Sequence, residues 1–277
     1  MGLLLAASTL GGNDLAAQRP AQRPPAPSIE RAGPEGPPAG VAQLTRSDVQ
    51  AWLDGFLPYA LQRGDVPGAV VTVVKDGEVL FKKGYGYADL KRKKPVDPDL
   101  TLFRPGSVSK LFTWTAVMQL VEQGKLDLEG DIKQYLDIPV PDAYGKPVTL
   151  HQLMTHTSGF EELVRGLMTS DPARLMPIET YLRETQPSRI FPPGEVPSYC
   201  NYCVTLEGYV IQRVSGEKFD DYLDKHIFQP LGMNNSTFRQ PLPEQFKEQM
   251  ASGYTVASGP PQYFELVGPA PAGSIAT

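Results

Sequence analysis

The stretch from Ser107 to about Gln123 most constrains what this chain can fold into, because it is apolar on nearly every side. Its large apolar residues are Leu111, Phe112, Trp114, Val117, Met118, Leu120 and Val121. They follow helical spacing, and Gly124 is a typical stop signal. A helix that is apolar around most of its circumference is stable only when other elements surround it. The sequence therefore predicts a helix that is largely buried.

Two strands joined by a tight turn are predicted before this helix. Residues 68–75 are β-branched and strand-like, with the sequence G-A-V-V-T-V-V-K. Asp76-Gly77 is a hairpin turn signal, and E-V-L-F-K-K-G-Y-G-Y follows as the return strand. The chain therefore opens its folded part with an antiparallel hairpin.

A first helix is predicted upstream of the hairpin, with Ser47 as its cap. Its apolar face carries Val49, Trp52, Leu53 and Phe56. Pro58 should end or kink it. Further helices are expected at about residues 150–154, 201–214 and 219–228. Strands followed by a helical region favour an α/β or α+β fold with a helical insertion.

The N-terminal residues suggest three segments. Residues 1–18 are apolar with small residues near their end and resemble the later part of a signal peptide, although a basic start is missing. Residues 19–44 are crowded with Pro, Ala, Gly and Arg, as in a linker. The folded domain should cover residues 45–277. Export to the periplasm or the exterior is expected, and no apolar run is long enough to span a membrane.

Composition removes several classes of function. A net charge of −5 disfavours a nucleic-acid-binding protein. Cys200 and Cys203 cannot make a four-ligand zinc site, and the histidines His151, His156 and His226 are scattered. We therefore expect neither a metal nor a cofactor. The C-x-x-C spacing also permits a redox pair, although the flanking residues suggest a different explanation.

Ser107 and Lys110 lie three residues apart in R-P-G-S-V-S-K, residues 104–110. At this spacing both side chains share one helix face. A serine hydroxyl needs a nearby base to be a good nucleophile, and a lysine can serve once burial lowers its pKa. The apolar helix supplies that burial, and its positive N-terminal end favours a serine alkoxide. By itself, however, the pattern more often marks a serine cap beside a solvated lysine.

A second polar cluster, Tyr199-Cys200-Asn201, stands at the head of a predicted helix. Its phenol and amide lie two residues apart and can both point into one cleft. The phenol could shuttle a proton, and the amide could hold Lys110 or bind a substrate carbonyl. By itself, the triplet fits better with a tyrosine at the edge of the core followed by an asparagine cap.

Together the two clusters resemble the first and second motifs of class C β-lactamases, serine D-Ala-D-Ala carboxypeptidases and related esterases. The resemblance implies that Ser107 forms an acyl-enzyme and that Lys110 and Tyr199 handle its proton. It also implies that Asn201 contacts Lys110 or the substrate amide. The backbone N–H of Ser107 should be one oxyanion donor. The substrate would be a small molecule or peptide with an acyl group.

Other segments extend this resemblance over residues 66–277. They are V-P-G-A-V-V-T-V-V-K-D-G with G-Y-G-Y-A-D, L-M-T-H-T-S-G-F, P-L-G-M and P-A-G-S-I-A-T. The implied fold is an antiparallel sheet flanked by helices with an inserted helical domain, as in β-lactamases and transpeptidases. In that family the loop containing His156 is structural, and Glu161 and Glu162 do not match the deacylating base of class A enzymes.

One departure concerns the third motif, K-T-G or H-x-G, which does not occur in these residues. The resemblance therefore implies that the C-terminal part of the sheet is missing and that this chain alone is poorly soluble and inactive. Two alternatives to an enzyme stay open: a penicillin-sensing or cell-wall-binding module, and an inactive truncated homologue. Lactam, peptide and ester substrates are not distinguished by these motifs.

Overall fold

The computed structural model describes residues 43–164, 166–261, 266–268 and 270–277. The predicted signal remnant and nearly all of the predicted linker lie outside these ranges. Within them, none of the helices combines the length and the apolar character needed to cross a membrane.

Helices and strands alternate irregularly along the described residues. The helices are α1 Arg46–Gly64, α2 Lys110–Glu122, α3 Leu150–Met154, α4 Ile178–Glu184, α5 Asn201–Ser215, α6 Phe219–Leu223, α7 Glu244–Lys247 and α8 Ala270–Gly273. The strands are β1 Gly68–Lys75, β2 Glu78–Asp89, β3 Lys94–Pro95, β4 Met168–Thr169 and β5 Leu266–Val267. Strands β1, β2 and β3 form an antiparallel sheet in that order, and β4 pairs with β5 separately.

The predicted hairpin is confirmed. Strands β1 and β2 pair antiparallel, with Lys75 opposite Glu78. Asp76 and Gly77 form the two-residue turn with φ of 52° and 82°. Positive φ at both central positions gives a turn whose twist matches that of the two strands, which is why Asp-Gly is favoured there.

Helix α1 differs from the prediction at both ends. Its cap is Thr45, not Ser47, because Thr45 and Asp48 satisfy each other's backbone N–H groups in a capping box. The helix also continues through Pro58 to Gly64. Leu57 and Leu61 pack on the sheet on either side of Pro58, and this packing outweighs the loss of one helical hydrogen bond.

The predicted apolar face of α1 is only half buried. Val49 and Leu53 pack against the sheet, whereas Trp52 is 63% exposed and Phe56 is also exposed. The rings of Trp52 and Phe56 stack on each other with centroids 5.0 Å apart.

The core lies around α2 and α5, which contact each other. Residues 201–211 of α5 are all buried. Helix α2 is less enclosed than predicted: its inner face is buried, but Leu111 and Met118, seven residues apart on one side, are exposed. The other predicted helices form close to their expected places, and α6 continues as a π-helix over Asp224–Phe228.

Candidate active site

Ser107 lies in a 3₁₀ helix, Gly106–Ser109, that leads directly into α2. Gly106 has φ +57°, a conformation that glycine adopts without strain. Ser107 is exposed, whereas Lys110 is only 1% exposed. Lys110 Nζ lies 3.0 Å from Ser107 Oγ, within hydrogen-bond distance. The spacing of three residues thus places a buried amine beneath an accessible hydroxyl.

Tyr199 and Asn201 reach the same place from the start of α5. The Tyr199 hydroxyl donates a hydrogen bond to Ser107 Oγ. The amide oxygen Oδ1 of Asn201 accepts one from Lys110 Nζ at 2.7 Å. Tyr199 is 45% exposed, so the site opens to solvent on its side. The structure therefore brings together the four side chains that the sequence singled out.

The surroundings of Lys110 suit both protonation states of its amine. Nζ also donates to the carbonyl oxygen of Ala272 at 2.6 Å, so three oxygen atoms surround it. An ammonium has three N–H donors for these three acceptors. A neutral amine has two, which the oxygens of Asn201 and Ala272 can accept, and its lone pair then faces Ser107 Oγ. This is the geometry that a base for Ser107 requires.

Burial lowers the pKa of Lys110, and this effect exceeds the opposing effects of Tyr199, Glu162 and Glu207. Desolvation disfavours the ammonium because burial removes the charge from the water that would otherwise stabilise it. A larger fraction of Lys110 is therefore neutral at a given pH than for a lysine in water.

The predicted oxyanion donor, the Ser107 backbone N–H, lies in the first turn of its 3₁₀ helix. First-turn N–H groups have no acceptor within their own helix, so this position is suitable for the role. The assignment of roles to the four side chains and to this N–H rests on geometry and resemblance and stays a prediction.

Two further carboxylates lie close to the site: Glu162 was considered from the sequence only as a class A type of base and set aside, and Glu207 was missed. Glu162 accepts hydrogen bonds from the backbone N–H and the side-chain amide of Asn201. Glu207, fully buried in α5, accepts from Trp114 Nε1 at 2.9 Å, and burial raises its pKa well above the usual range. A glutamate among the apolar residues of a buried helix was the available signal for Glu207. For Glu162 the sequence offered only its position after the T-S-G-F turn.

His156 supports the site from one side. Its ring packs against that of Tyr199 with centroids 4.6 Å apart, and its carbonyl accepts from the Ser198 N–H at 2.7 Å. Burial, followed by the charge of Lys110, lowers its pKa. These contacts support the structural interpretation of His156.

The two cysteines form a disulfide, Cys200–Cys203, that is fully buried. The Cys203 N–H also donates to Cys200 Sγ at 3.0 Å, so Cys200 serves as the cap of α5. The Cys200 side chain is buried in the core, whereas Tyr199 contacts Ser107 and Asn201 contacts Lys110. The pair thus fits between the site residues without taking part in the cluster.

In a protein that also carries the third motif, replacing both cysteines by serine is expected to leave most of the activity. The loss should stay well below a hundredfold, a factor that corresponds to about 2.7 kcal/mol. Serine is a good helix cap and can replace Cys200 in accepting the Cys203 N–H. The measurement is the rate at which a fluorophosphonate labels the serine in the double variant and in the wild-type protein. The wild-type protein is measured both with and without a dithiol reductant. A larger loss in the double variant would restore the redox interpretation.

The sheet flanked by helices and the cluster around Ser107 define the superfamily of serine β-lactamases and penicillin-binding proteins. The chain belongs to the Beta-lactamase family, whose sequence profile matches residues 15–277.

Known proteins agree with this placement. The chain is 30% identical over 198 residues to Protein flp of Staphylococcus aureus strain MW2, covering 70% of this chain and 39% of that protein. It is 36% identical over 167 residues to a putative penicillin-binding protein, PbpX, of Bacillus subtilis strain 168, covering 60% and 40%. The chain therefore spans about two fifths of the length of these relatives.

Solved structures share the fold. The octameric penicillin-binding protein homologue from Pyrococcus abyssi superposes with a TM-score of 0.69 at 30% identity, covering 82% of this chain and 53% of that one. EstCE1, a hydrolase with promiscuous acyltransferase activity, superposes with a TM-score of 0.69 at 22% identity, covering 83% of this chain and 69% of that one. The predicted fold class is thereby confirmed.

Proposed function

We propose that this protein is a serine hydrolase that forms an acyl-enzyme on Ser107 with an amide, lactam or ester substrate. The observation that carries the proposal is the set of three oxygens around the buried Lys110 amine. Two of them are carbonyl oxygens that can take both N–H groups of the neutral amine. The third is the hydroxyl of an accessible serine.

In the first half of the reaction, Ser107 Oγ attacks the acyl carbon and its proton passes to the lone pair of Lys110 Nζ. The carbonyl oxygen of the substrate becomes an oxyanion, which the Ser107 N–H stabilises. The Tyr199 hydroxyl then delivers a proton to the leaving nitrogen or oxygen, and the bond to the leaving group breaks. The Lys110 ammonium reprotonates Tyr199, so the acyl-enzyme forms with the amine neutral again.

In the second half, water attacks the ester carbonyl of the acyl-enzyme. Tyr199 and Lys110 accept the water proton and return a proton to Ser107 Oγ as the acid leaves. The same pair therefore acts as base and as acid in turn. Asn201 holds Lys110 in place through its amide oxygen in both halves.

The proposed substrate is a small molecule or peptide that presents an acyl group, since Ser107 is exposed and Tyr199 is half exposed at the mouth of the site. Names of relatives refer to penicillin-binding proteins, and penicillins are lactams that acylate serine. An exported location, proposed from residues 1–18, would match a substrate outside the cytoplasm.

The proposal is tested by mixing the full-length protein with p-nitrophenyl butyrate and, separately, with a penicillin, and by following product release and intact mass. A hydrolase gives an added acyl mass on the Ser107 peptide and continued turnover of at least one compound. A burst equal to the protein concentration without turnover would identify a sensing module instead. No added mass with either compound or with a fluorophosphonate would identify an inactive homologue.

A further inference from the structure

We infer that Glu162 is a positioning residue that fixes the orientation of the Asn201 amide and thereby directs the lone pair of Lys110 at Ser107. The inference rests on the proposed function, because it assumes that Lys110 is the base. Glu162 itself contacts neither Ser107 nor Lys110 among the hydrogen bonds of the described residues, so it acts through Asn201.

The contact between Glu162 and Asn201 has two hydrogen bonds. Oε2 of Glu162 accepts the Asn201 backbone N–H at 2.7 Å, and Oε1 accepts the side-chain Nδ2–H at 2.7 Å. An ionised carboxylate only accepts hydrogen bonds. The NH₂ end of the amide must therefore face Glu162, and Oδ1 must face Lys110.

The orientation matters because the two ends of an amide have opposite effects on Lys110. With Oδ1 toward Nζ, the amide takes an N–H of the amine and leaves the lone pair for Ser107. With the amide reversed, its NH₂ would donate to that lone pair. The base would then be occupied by Asn201 and could not accept the Ser107 proton.

Glu162 also contributes charge. The titratable groups that face Lys110 are Tyr199, Glu162, Glu207 and His156. Burial lowers the pKa of Lys110, while the negative charge of Glu162 partly opposes that effect. Removing the Glu162 charge should therefore lower the pKa of Lys110 further.

The variant Glu162→Gln tests the inference. Its amide can accept the Asn201 backbone N–H with its oxygen while its NH₂ faces the Asn201 side chain, which permits Asn201 to reverse. We expect the rate of fluorophosphonate labelling to fall by about 100-fold, as for other misplaced catalytic groups. The acidic limb of the pH–rate profile should move to lower pH, because both the reversed amide and the lost charge disfavour the Lys110 ammonium.

Glu161→Gln is the matched control, since Glu161 accepts from the Ser188 N–H instead and should leave rate and profile unchanged. Glu162→Asp keeps a carboxylate that only accepts hydrogen bonds, so it should keep the wild-type position of the acidic limb even if Glu162→Gln fails to fold. A limb that moves in Glu162→Asp, or a uniform loss of rate without movement in Glu162→Gln, would overturn the inference. Labelling that persists in Ser107→Ala would instead overturn the proposed function.

Discussion

In a protein that carries this chain together with the third motif, replacing Ser107 by alanine is expected to abolish covalent labelling by a fluorophosphonate or a penicillin and to reduce kcat by on the order of a millionfold. The reason is that acyl transfer needs an oxygen nucleophile at this position, and the alanine methyl group can form no bond to the acyl carbon. The variant should fold normally, because Ser107 is exposed and lies at the surface end of the 3₁₀ helix. Intact mass and peptide mapping after incubation measure the labelling.

Ser109→Ala is the control for this experiment. Ser109 adjoins Lys110 in sequence, but its side chain is buried and donates a hydrogen bond to the Gly106 carbonyl. This hydroxyl is unavailable to a substrate, so labelling should persist in Ser109→Ala. Labelling that persists in Ser107→Ala, or that is lost only in Ser109→Ala, would show that the nucleophile has been assigned to the wrong residue.

Replacing Lys110 by methionine is expected to slow acylation by about 10³- to 10⁴-fold, the upper range for loss of a general base. Methionine is close to lysine in length and apolar, so it can fill the buried site. The variant removes the lone pair that accepts the Ser107 proton, while Ser107 and Tyr199 stay in place. Thermal melting checks that the slower rate does not come from unfolding.

The role of Lys110 also predicts how the rate of acylation changes with pH. Lys110 must be neutral to accept a proton, so the wild-type rate should rise with pH through the pKa of Lys110 and then level off. Since burial lowers that pKa, the rise should occur below the ordinary lysine value of 10.5. Lys110→Met should lose this rise. Lys125→Met, at an exposed position just beyond α2, is the control and should keep both rate and profile. A rise that survives in Lys110→Met would mean that another group is the base.

The sequence by itself determined the local parts of this protein. Asp76-Gly77 determines the hairpin because few residues adopt positive φ at both turn positions. The three-residue spacing of Ser107 and Lys110 determines that they are neighbours, because one helical turn separates them. The placement of Tyr199 and Asn201 beside them was expected only through resemblance to a family with the same motifs.

Only the tertiary structure decided the long-range contacts around Lys110 and the length of α1, because both depend on packing between segments distant along the chain. Lys110 meets Asn201 across 91 residues and Ala272 across 162, and no periodicity reports such contacts. The role of Glu162 was not foreseen from the sequence, because its partner Asn201 lies 39 residues further on, at the start of α5. Packing also decided where α1 ends: Pro58 does not end the helix, because Leu57 and Leu61 hold it on the sheet.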